Sequence, residues 1–242
     1  VSTANYKARE YGIHSAQPIS EAWRLSEIAR KKGEPQAVFI GVNMESYTQE
    51  SEKIMEIICA SVPLVEQASV DEAYADLSPD ALVGVPTPSG CRDFTDPYEK
   101  ARALCEKIKR EVKEKRKLTV SVGVGPNKLI AKIASGMNKP DGLTVVREEE
   151  AEAFLEPMHI RKIPGIGPKT EEMFLKRSVK LVRDLKKFSK DEMEEMMGKP
   201  RRLQSGSRPQ KASGWASDLY EKVRGRDDSP VVEEYEAKSI GE

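Results

Sequence analysis

The stretch Ser69-Val70-Asp71-Glu72-Ala73-Tyr74-Ala75-Asp76 places two adjacent carboxylates between short apolar segments that are typical of strands. On one continuous strand, Asp71 and Glu72 would point to opposite faces, because side chains alternate with period two. At a tight bend between two strands, both can converge on one point outside the sheet. Two carboxylates that close stay ionised when a cation neutralises them, and Mg²⁺ prefers such oxygen ligands. The stretch therefore predicts either a solvated Asp-Glu turn or a magnesium site.

Strand patterns and helix patterns alternate on both sides of this pair. The apolar spacing predicts helices over 51–62, over 98–117 and after Asn127, and strands over 38–40, 118–124 and 143–146. This order predicts an α+β fold class, in which helices cover one face of a mixed sheet. The sheet would carry the two carboxylates.

The N-terminal segment combines an aromatic hydroxyl with a guanidinium. A short helix is predicted to end at Gly12, and Tyr6 and Arg9, three positions apart, share one face of it. Such a pair suits phosphate oxygens, although two stacked surface side chains give the same pattern. A second helix is predicted to begin after Pro18, with one apolar side formed by Ile19, Ala22, Trp23 and Leu25.

A glycine-rich hairpin is predicted at Ile163-Pro164-Gly165-Ile166-Gly167-Pro168-Lys169-Thr170. Two glycines that flank one apolar residue, just before a helix, expose backbone N–H groups that bind phosphate without reading bases. The segment 161–190 holds ten Lys and Arg against three Asp and Glu, a local charge of +7. The alternative is an ordinary turn between helices with a solvated basic face.

The composition excludes several other kinds of protein. The 242 residues carry 40 basic and 40 acidic side chains, which argues against a generic polycation. Three cysteines without metal-type spacing fit a reducing compartment, and two distant histidines (His14 and His159) argue against a zinc site. No apolar run reaches the roughly 18–20 residues that cross a bilayer, and no signal segment begins the chain. We therefore expect a cytoplasmic protein without a membrane partner.

Four motifs, in this order, make the chain resemble the Y-family lesion-bypass DNA polymerases of the DinB, or DNA polymerase IV, type and of the archaeal kind. The motifs run from Thr3 to Arg9, Ser69 to Asp76, Thr119 to Lys139 and Ile163 to Thr170. The resemblance covers nearly the whole chain. It implies a polymerase palm, partial fingers and an all-α helix-hairpin-helix thumb. The implied boundaries are 1–36 for the fingers, 37–146 for the palm, 147–226 for the thumb and 227–242 for a linker to an absent little finger.

The resemblance also implies the roles of individual residues. Asp71 and Glu72 would be the catalytic carboxylates that ligate two Mg²⁺ ions, with a lesser role for Ser69. The triphosphate of the incoming dNTP would be contacted by Tyr6, Arg9 and Lys139. The backbone of the primer-template DNA would be held by Gly165, Ile166, Gly167, Lys169 and Thr170.

The implied reaction is template-directed nucleotidyl transfer from dNTP to a primer 3′-hydroxyl, of the translesion type. A monomer is expected, with a sliding clamp as a further partner through the missing C-terminal part. In the family, a first metal-ligating Asp lies on a strand before the position of Tyr6, and no Asp precedes Tyr6 here. We therefore expect this chain to be truncated and weakly active or inactive.

Two other functions fit parts of the same pattern. The first is a non-catalytic DNA-binding fragment or pseudo-enzyme that grips the duplex backbone through the thumb hairpin. The second is a nucleotide cyclase, which can share a similar sheet, although the hairpin and the basic thumb argue against it. The segment 199–213 is rich in Pro, Ser, Gly and Arg without periodicity, and is either a disordered insertion or an error in the gene sequence within a helical unit.

Overall fold

The computed structural model describes residues 1–83, 96–197 and 212–233, with the side chains of residues 212 and 213 left out. Residues 84–95 and most of the segment 199–213 lie outside these ranges, as does the end of the predicted linker. The chain divides into two compact units, residues 1–50 and 51–242. Among the described residues, no helix is long and apolar enough to span a membrane.

The first unit contains the two predicted short helices, α1 (Tyr6–Glu10) and α2 (Ile19–Lys31). Asn5 caps α1, because its side-chain oxygen accepts the N–H of Ala8 at 2.9 Å. Gly12 follows α1 with φ of +84°, a left-handed conformation that glycine adopts without strain.

The predicted apolar face of α2 is wrong in part. The buried residues of α2 are small, namely Ala22, Ser26 and Ala29. Trp23 is half exposed and lies with its ring centroid 5.5 Å from that of Phe39, at the surface. The helix forms as predicted, but small side chains occupy its buried side.

The predicted buried strand at Val38-Phe39-Ile40 is also wrong. This segment forms no strand, and Val38 and Ile40 are 83% and 85% exposed. The segment is instead attached to α2, because the N–H of Ala37 donates to Oγ of Ser26 at 2.9 Å. A run of three apolar residues is too short to define a strand without a neighbouring strand that pairs with it.

The second unit contains the end of α3, which crosses the boundary between the units, and the remaining helices and strands. The elements are α3 (Met44–Cys59), β1 (Val65–Gln67), β2 (Ala73–Ala75), α4 (Pro97–Arg116), β3 (Val122–Val124), α5 (Lys128–Ser135), β4 (Leu143–Val145), α6 (Ala151–Leu155), α7 (Pro168–Leu175), α8 (Val182–Leu185), α9 (Lys190–Met197) and α10 (Ala212–Lys222). Short 3₁₀ turns occupy Glu148–Glu150 and Ile160–Lys162.

Helix α4 forms as its sequence predicts. The carboxylate of Asp96 accepts the N–H of Tyr98 at 2.9 Å and caps the N-terminus, with Pro97 in the first turn. The helix buries one apolar stripe, which consists of Ala101, Leu104, Cys105, Ile108 and Val112. Burial raises the pKa of the Cys105 thiol to about 12, so this cysteine is a core residue in its protonated form.

The strands form two separate pairs among the residues that the structure describes. Strands β1 and β2 are antiparallel, with Gln67 opposite Ala73, whereas β3 and β4 are parallel, with Val122 opposite Leu143. The pairings are thus of both kinds, and the α+β class is confirmed. The predicted single sheet differs from the observed arrangement, because each strand is three residues long and the predicted strand at 38–40 does not form.

Helix α4 packs against both strand pairs. Leu104, Ile108 and Val112 form a core with residues of α3, β1 and β2. Ala101 and Cys105 form a second core with residues of β3 and β4. The apolar stripe of α4 therefore keeps both strand pairs on the same side of one helix.

Helix α5 approaches β3 closely at Gly123. A Cβ atom at this position would lie 2.1 Å from the carbonyl oxygen of Ala131 and 2.4 Å from the backbone nitrogen of Ser135. The missing side chain therefore allows the backbone of α5 to touch the strand. The other side of α5 joins a large helical core, in which Ile130 packs with residues between 146 and 223 such as Phe174.

The segment after α10 returns to α5 and β1, and we call residues 225–232 the strap. Nδ2 of Asn127 donates to the carbonyl oxygen of Gly225 at 2.7 Å, and the N–H of Leu129 donates to Asp227 Oδ2 at 3.1 Å. The strap ends beside Glu66 on β1, whose carboxylate accepts the N–H of Val232 at 2.9 Å.

Glu66 is the buried anchor of the strap. Its side chain is 2% exposed and forms an ion pair with Lys128, which is 12% exposed. Nζ of Lys128 also donates to the carbonyl oxygen of Pro230 at 2.8 Å, so one lysine connects β1 to the strap. A buried carboxylate is tolerated because it is paired and hydrogen-bonded.

We expect Gly123→Ala to lower the free energy of unfolding by about 3 kcal/mol, because the new methyl group would overlap backbone atoms of α5 that cannot move aside. Chemical denaturation followed by circular dichroism measures this change. Gly41→Ala is the matched control, since a Cβ there meets no atom within 4 Å. Equal unfolding midpoints for the two variants would contradict the close approach of α5 to β3.

We expect Glu66→Gln to lower the free energy of unfolding by about 3 kcal/mol, because it leaves the Lys128 ammonium without its carboxylate partner. Hydrogen exchange should also increase in the strap, which loses a charged acceptor. Glu172→Gln is the control, since the pair of Glu172 with Lys176 is exposed on both sides, and little change is expected. Unchanged exchange at residues 227–232 would show that Glu66 does not anchor the strap.

Candidate functional site

The two predicted carboxylates lie on the bend that joins β1 to β2. The N–H groups of Ala68 and Ser69 both donate to the carbonyl oxygen of Glu72, at 2.9 and 3.1 Å, and close the bend. Asp71 and Glu72 are exposed. Of the two arrangements that the sequence allowed, the structure has the bend, in which both side chains lie at the same end of the strand pair.

Each carboxylate of the bend has a different partner. Oγ of Ser69 donates to Oδ1 of Asp71 at 2.8 Å. Glu72 forms an ion pair with Lys132 of α5, and the two side chains are 46% and 36% exposed. One carboxylate is thus oriented by a neutral hydroxyl group and the other by a cation.

A cleft of about 290 Å³ lies beside the bend. Its walls include Tyr74, Lys132, Pro164 and Lys222. The cleft therefore reaches from residues 65–75, which we call the carboxylate hairpin, to the glycine-rich hairpin. Burial raises the pKa of the Tyr74 hydroxyl, and the nearby ammonium of Lys132 opposes this shift. The walls also include the carboxylates of Glu66 and Asp227, and each lysine of the cleft forms an ion pair, so charges of both signs line it.

The bend offers oxygen ligands of the kind that Mg²⁺ prefers, namely two adjacent exposed carboxylates. In the described ranges, no group of three or more His, Cys, Asp and Glu side chains could hold a metal ion. The bend therefore fits a magnesium ion in the type of ligand and offers two carboxylate side chains. Waters or substrate phosphate oxygens are the usual remaining ligands.

Tyr6 and Arg9 lie on α1 in the first unit and share a face, as predicted. The guanidinium carbon of Arg9 lies 5.2 Å from the centroid of the Tyr6 ring, and its Nε donates to the carbonyl oxygen of Ala4 at 2.9 Å. Both side chains are exposed. The pair thus presents a guanidinium and a phenol hydroxyl to solvent from one short helix.

Lys139 lies in the second unit, in the turn between α5 and β4. Its side chain is exposed, and the turn continues into Asp141, which forms ion pairs with Lys109 and Lys113 of α4. These pairs hold the pKa of Asp141 below its usual value and attach the turn to α4.

The glycine-rich hairpin joins a 3₁₀ turn to α7, which begins at Pro168 with Gly167 as its N-cap residue. Ile163 and Ile166 are buried and fix the hairpin to the helical core. Gly165 has φ of +97°, and a Cβ there would lie 3.2 Å from Nε1 of Trp215, so glycine is favoured both by the backbone and by the space. Lys169 is exposed in the first turn of α7, and Thr170 is partly exposed beside it. The predicted hairpin before a helix N-terminus is therefore confirmed as a local structure.

Sequence reasoning missed three charged residues of this region. Lys128 and Lys132 lie one turn apart on α5, and both form ion pairs with glutamates of the carboxylate hairpin. Glu66 is the third. An acidic residue inside the short apolar strand pattern, and two lysines spaced four apart on the predicted helix, were the available indications.

Most of the chain matches models of one known protein family. Residues 1–136 match the model of the impB/mucB/samB family, and residues 148–177 match the helix-hairpin-helix motif of the same family. The chain is 45% identical over 199 residues to DNA polymerase IV 2 of Methanosarcina mazei. The aligned region covers 82% of this chain and 48% of that protein. It is 39% identical to DNA polymerase IV of Methanosarcina acetivorans, over 100% of this chain and 58% of the relative. The chain thus spans about half the length of these relatives.

Solved structures give the same result. The fold matches DinB from Sulfolobus solfataricus with a TM-score of 0.71 and 30% identity, over 96% of this chain and 57% of that one. It matches a Y-family DNA polymerase chimera of Dbh and Dpo4 with a TM-score of 0.75 and 30% identity, over 98% and 58% of the two chains. The sequence motifs, the family models and the fold agree, and the chain belongs to the impB/mucB/samB family, as a DinB-type member of the Y-family DNA polymerases.

Proposed function

We propose that this chain forms the catalytic and DNA-gripping part of a template-directed DNA polymerase of the translesion type. The observation that carries the proposal is the exposed pair Asp71 and Glu72 on the bend between β1 and β2. The relatives named DNA polymerase IV and the helix-hairpin-helix match support it. The reaction would join a dNTP to a primer 3′-hydroxyl.

The proposed division into domains follows the family. Residues 1–36 would be part of the fingers, 37–146 the palm, 147–226 the thumb, and 227–242 the start of a linker to a little finger. Lesion bypass, a monomeric state and a sliding clamp as partner stay predictions.

Asp71 and Glu72 would hold two Mg²⁺ ions. When bound, these ions would supply positive charge that stabilises the phosphoryl transition state. The chain's own contribution would be placement: the bend puts both carboxylates at one end of the strand pair, and Ser69 and Lys132 orient them. Such positioning is a large part of catalysis in phosphoryl transfer.

The triphosphate of the nucleotide would be bound by Tyr6, Arg9 and Lys139. A guanidinium donates up to five hydrogen bonds in a fixed fork, which suits phosphate oxygens. A phenol hydroxyl and an ammonium add further donors. These groups would neutralise the negative charge of the triphosphate.

The DNA backbone would be held at the hairpin by Gly165, Ile166, Gly167, Lys169 and Thr170. Backbone N–H groups at the start of α7 and the exposed ammonium of Lys169 suit phosphate and carry no base information. Binding would therefore depend on salt and little on sequence.

We expect residues 1–242 alone to extend primers weakly or not at all with Mg²⁺, because the described part of the chain brings two carboxylates, and no larger ligand group, to the candidate metal site. A longer protein that adds, before Val1, a strand with a further metal-ligating Asp is expected to extend primers on a plain template and past an abasic site. Primer extension on denaturing gels measures both activities.

In the longer protein, Asp71→Ala/Glu72→Ala should reduce extension on the order of a thousandfold or more. DNA binding should be retained, which shows that the variant is folded. If residues 1–242 extended primers as well as the longer protein does, the proposal that residues 1–242 lack a metal ligand would be wrong. Extension that survives the double substitution would contradict the catalytic assignment.

We expect Lys169→Glu to weaken binding of primer-template DNA and to reduce the slope of log affinity against log salt by about one, because a phosphate contact is lost. Fluorescence anisotropy at several salt concentrations measures both quantities. Lys107→Glu on α4 is the control, with the same change of net charge. An equal loss in the two variants would show a general charge effect and no specific contact at the hairpin.

A further inference from the structure

Helix α5 presents two lysines to the carboxylate hairpin. Lys128 and Lys132 are four positions apart and therefore lie on one face of the helix, one turn from each other. Two like charges at this spacing destabilise a helix unless each finds a partner. Both partners come from the same hairpin, since Lys128 pairs with Glu66 and Lys132 pairs with Glu72.

The two ion pairs differ in how firmly each lysine is held. Lys128 also donates to the carbonyl oxygen of Pro230 and lies 4.9 Å from the centroid of the Tyr74 ring. Its partner Glu66 is buried at 2% exposure. Lys132 and Glu72 are half exposed, at 36% and 46%. The Lys128 pair is therefore part of the core, whereas the Lys132 pair is open to exchange with solvent ions.

The position of the Lys132 ammonium is fixed by the packing of its helix. Asn127 caps α5 by accepting the N–H of Ile130 at 3.0 Å. Gly123 of β3 lies directly against the α5 backbone near Ala131, next to Lys132. The helix that carries the ammonium therefore has little freedom to move relative to the strands.

We propose that the Lys132 ammonium holds the Glu72 carboxylate in place in the absence of metal, and that a divalent cation competes with this ammonium for the carboxylate. The inference rests on the proposed function, in which Asp71 and Glu72 hold the metal. Asp71 is oriented by the neutral hydroxyl of Ser69 at 2.8 Å, which a metal ion need not displace. Glu72 is oriented by a positive charge, which repels a metal ion that binds the same carboxylate.

The charge of Lys132 has a measurable consequence for metal binding. A divalent ion bound to Glu72 would lie close to the ammonium, and the two like charges repel even where water screens them. Removal of the ammonium should therefore tighten binding of a divalent ion by about tenfold. Lys132→Arg keeps the charge and should bind the ion as the unsubstituted protein does.

The test is a titration with Mn²⁺, which takes the same oxygen ligands as Mg²⁺ and whose free form gives an electron paramagnetic resonance signal. The proteins are the unsubstituted chain, Lys132→Met, Lys132→Arg and Lys107→Met, a control on α4 with the same loss of charge. Asp71→Asn in each background identifies the ions that bind at the bend. We expect Asp71-dependent binding that is about tenfold tighter in Lys132→Met, and unchanged in the other two variants.

The outcomes separate this inference from the proposed function. If Asp71→Asn changes binding in no background, the bend holds no divalent ion and the proposed metal site is wrong. If binding depends on Asp71 but is equal or weaker in Lys132→Met, Lys132 does not compete with the metal and the inference is overturned. An equal gain in Lys132→Arg or in Lys107→Met would overturn it as well, since the effect would not come from the charge at Glu72.

Discussion

The burial of one face of α4 is the interaction on which the second unit depends. The two strand pairs share no ladder among the residues that the structure describes, so hydrogen bonds do not hold them together. Leu104, Ile108 and Val112 cover one pair, and Ala101 and Cys105 cover the other. Each large apolar side chain buried in this way contributes roughly 1.5–3 kcal/mol. Hydrophobic contact with a single helix thus fixes the position of the carboxylate hairpin relative to β3 and β4.

Helix α5 connects these strands to the residues of the candidate site. It touches β3 through the space left by Gly123, and its opposite side belongs to the helical core that carries the glycine-rich hairpin. Its lysines reach Glu66 and Glu72, and its N-terminal residues receive the strap. A short helix with contacts on all sides can therefore fix the carboxylates and the hairpin relative to each other.

Acidic side chains of one hairpin have different environments and therefore different chemistry. Glu66 is enclosed, and its carboxylate is held by the Lys128 ammonium and by the N–H of Val232. Asp71 and Glu72 are exposed at the bend and can exchange their partners. Burial thus separates a structural carboxylate from two candidate ligands that lie within six residues of it.

The sequence by itself determined the local features of this protein: the apolar stripe of α4, the start of α5 after Asn127, the hairpin before α7 and the carboxylate pair. These follow from periodicity, capping residues and glycine, which act over a few residues. The tertiary structure decided the rest. It exposed Val38 and Ile40, and it joined Lys128 to Glu66 and Lys132 to Glu72 across about sixty residues. Such pairs depend on how distant elements pack against each other, and no local pattern specifies that packing.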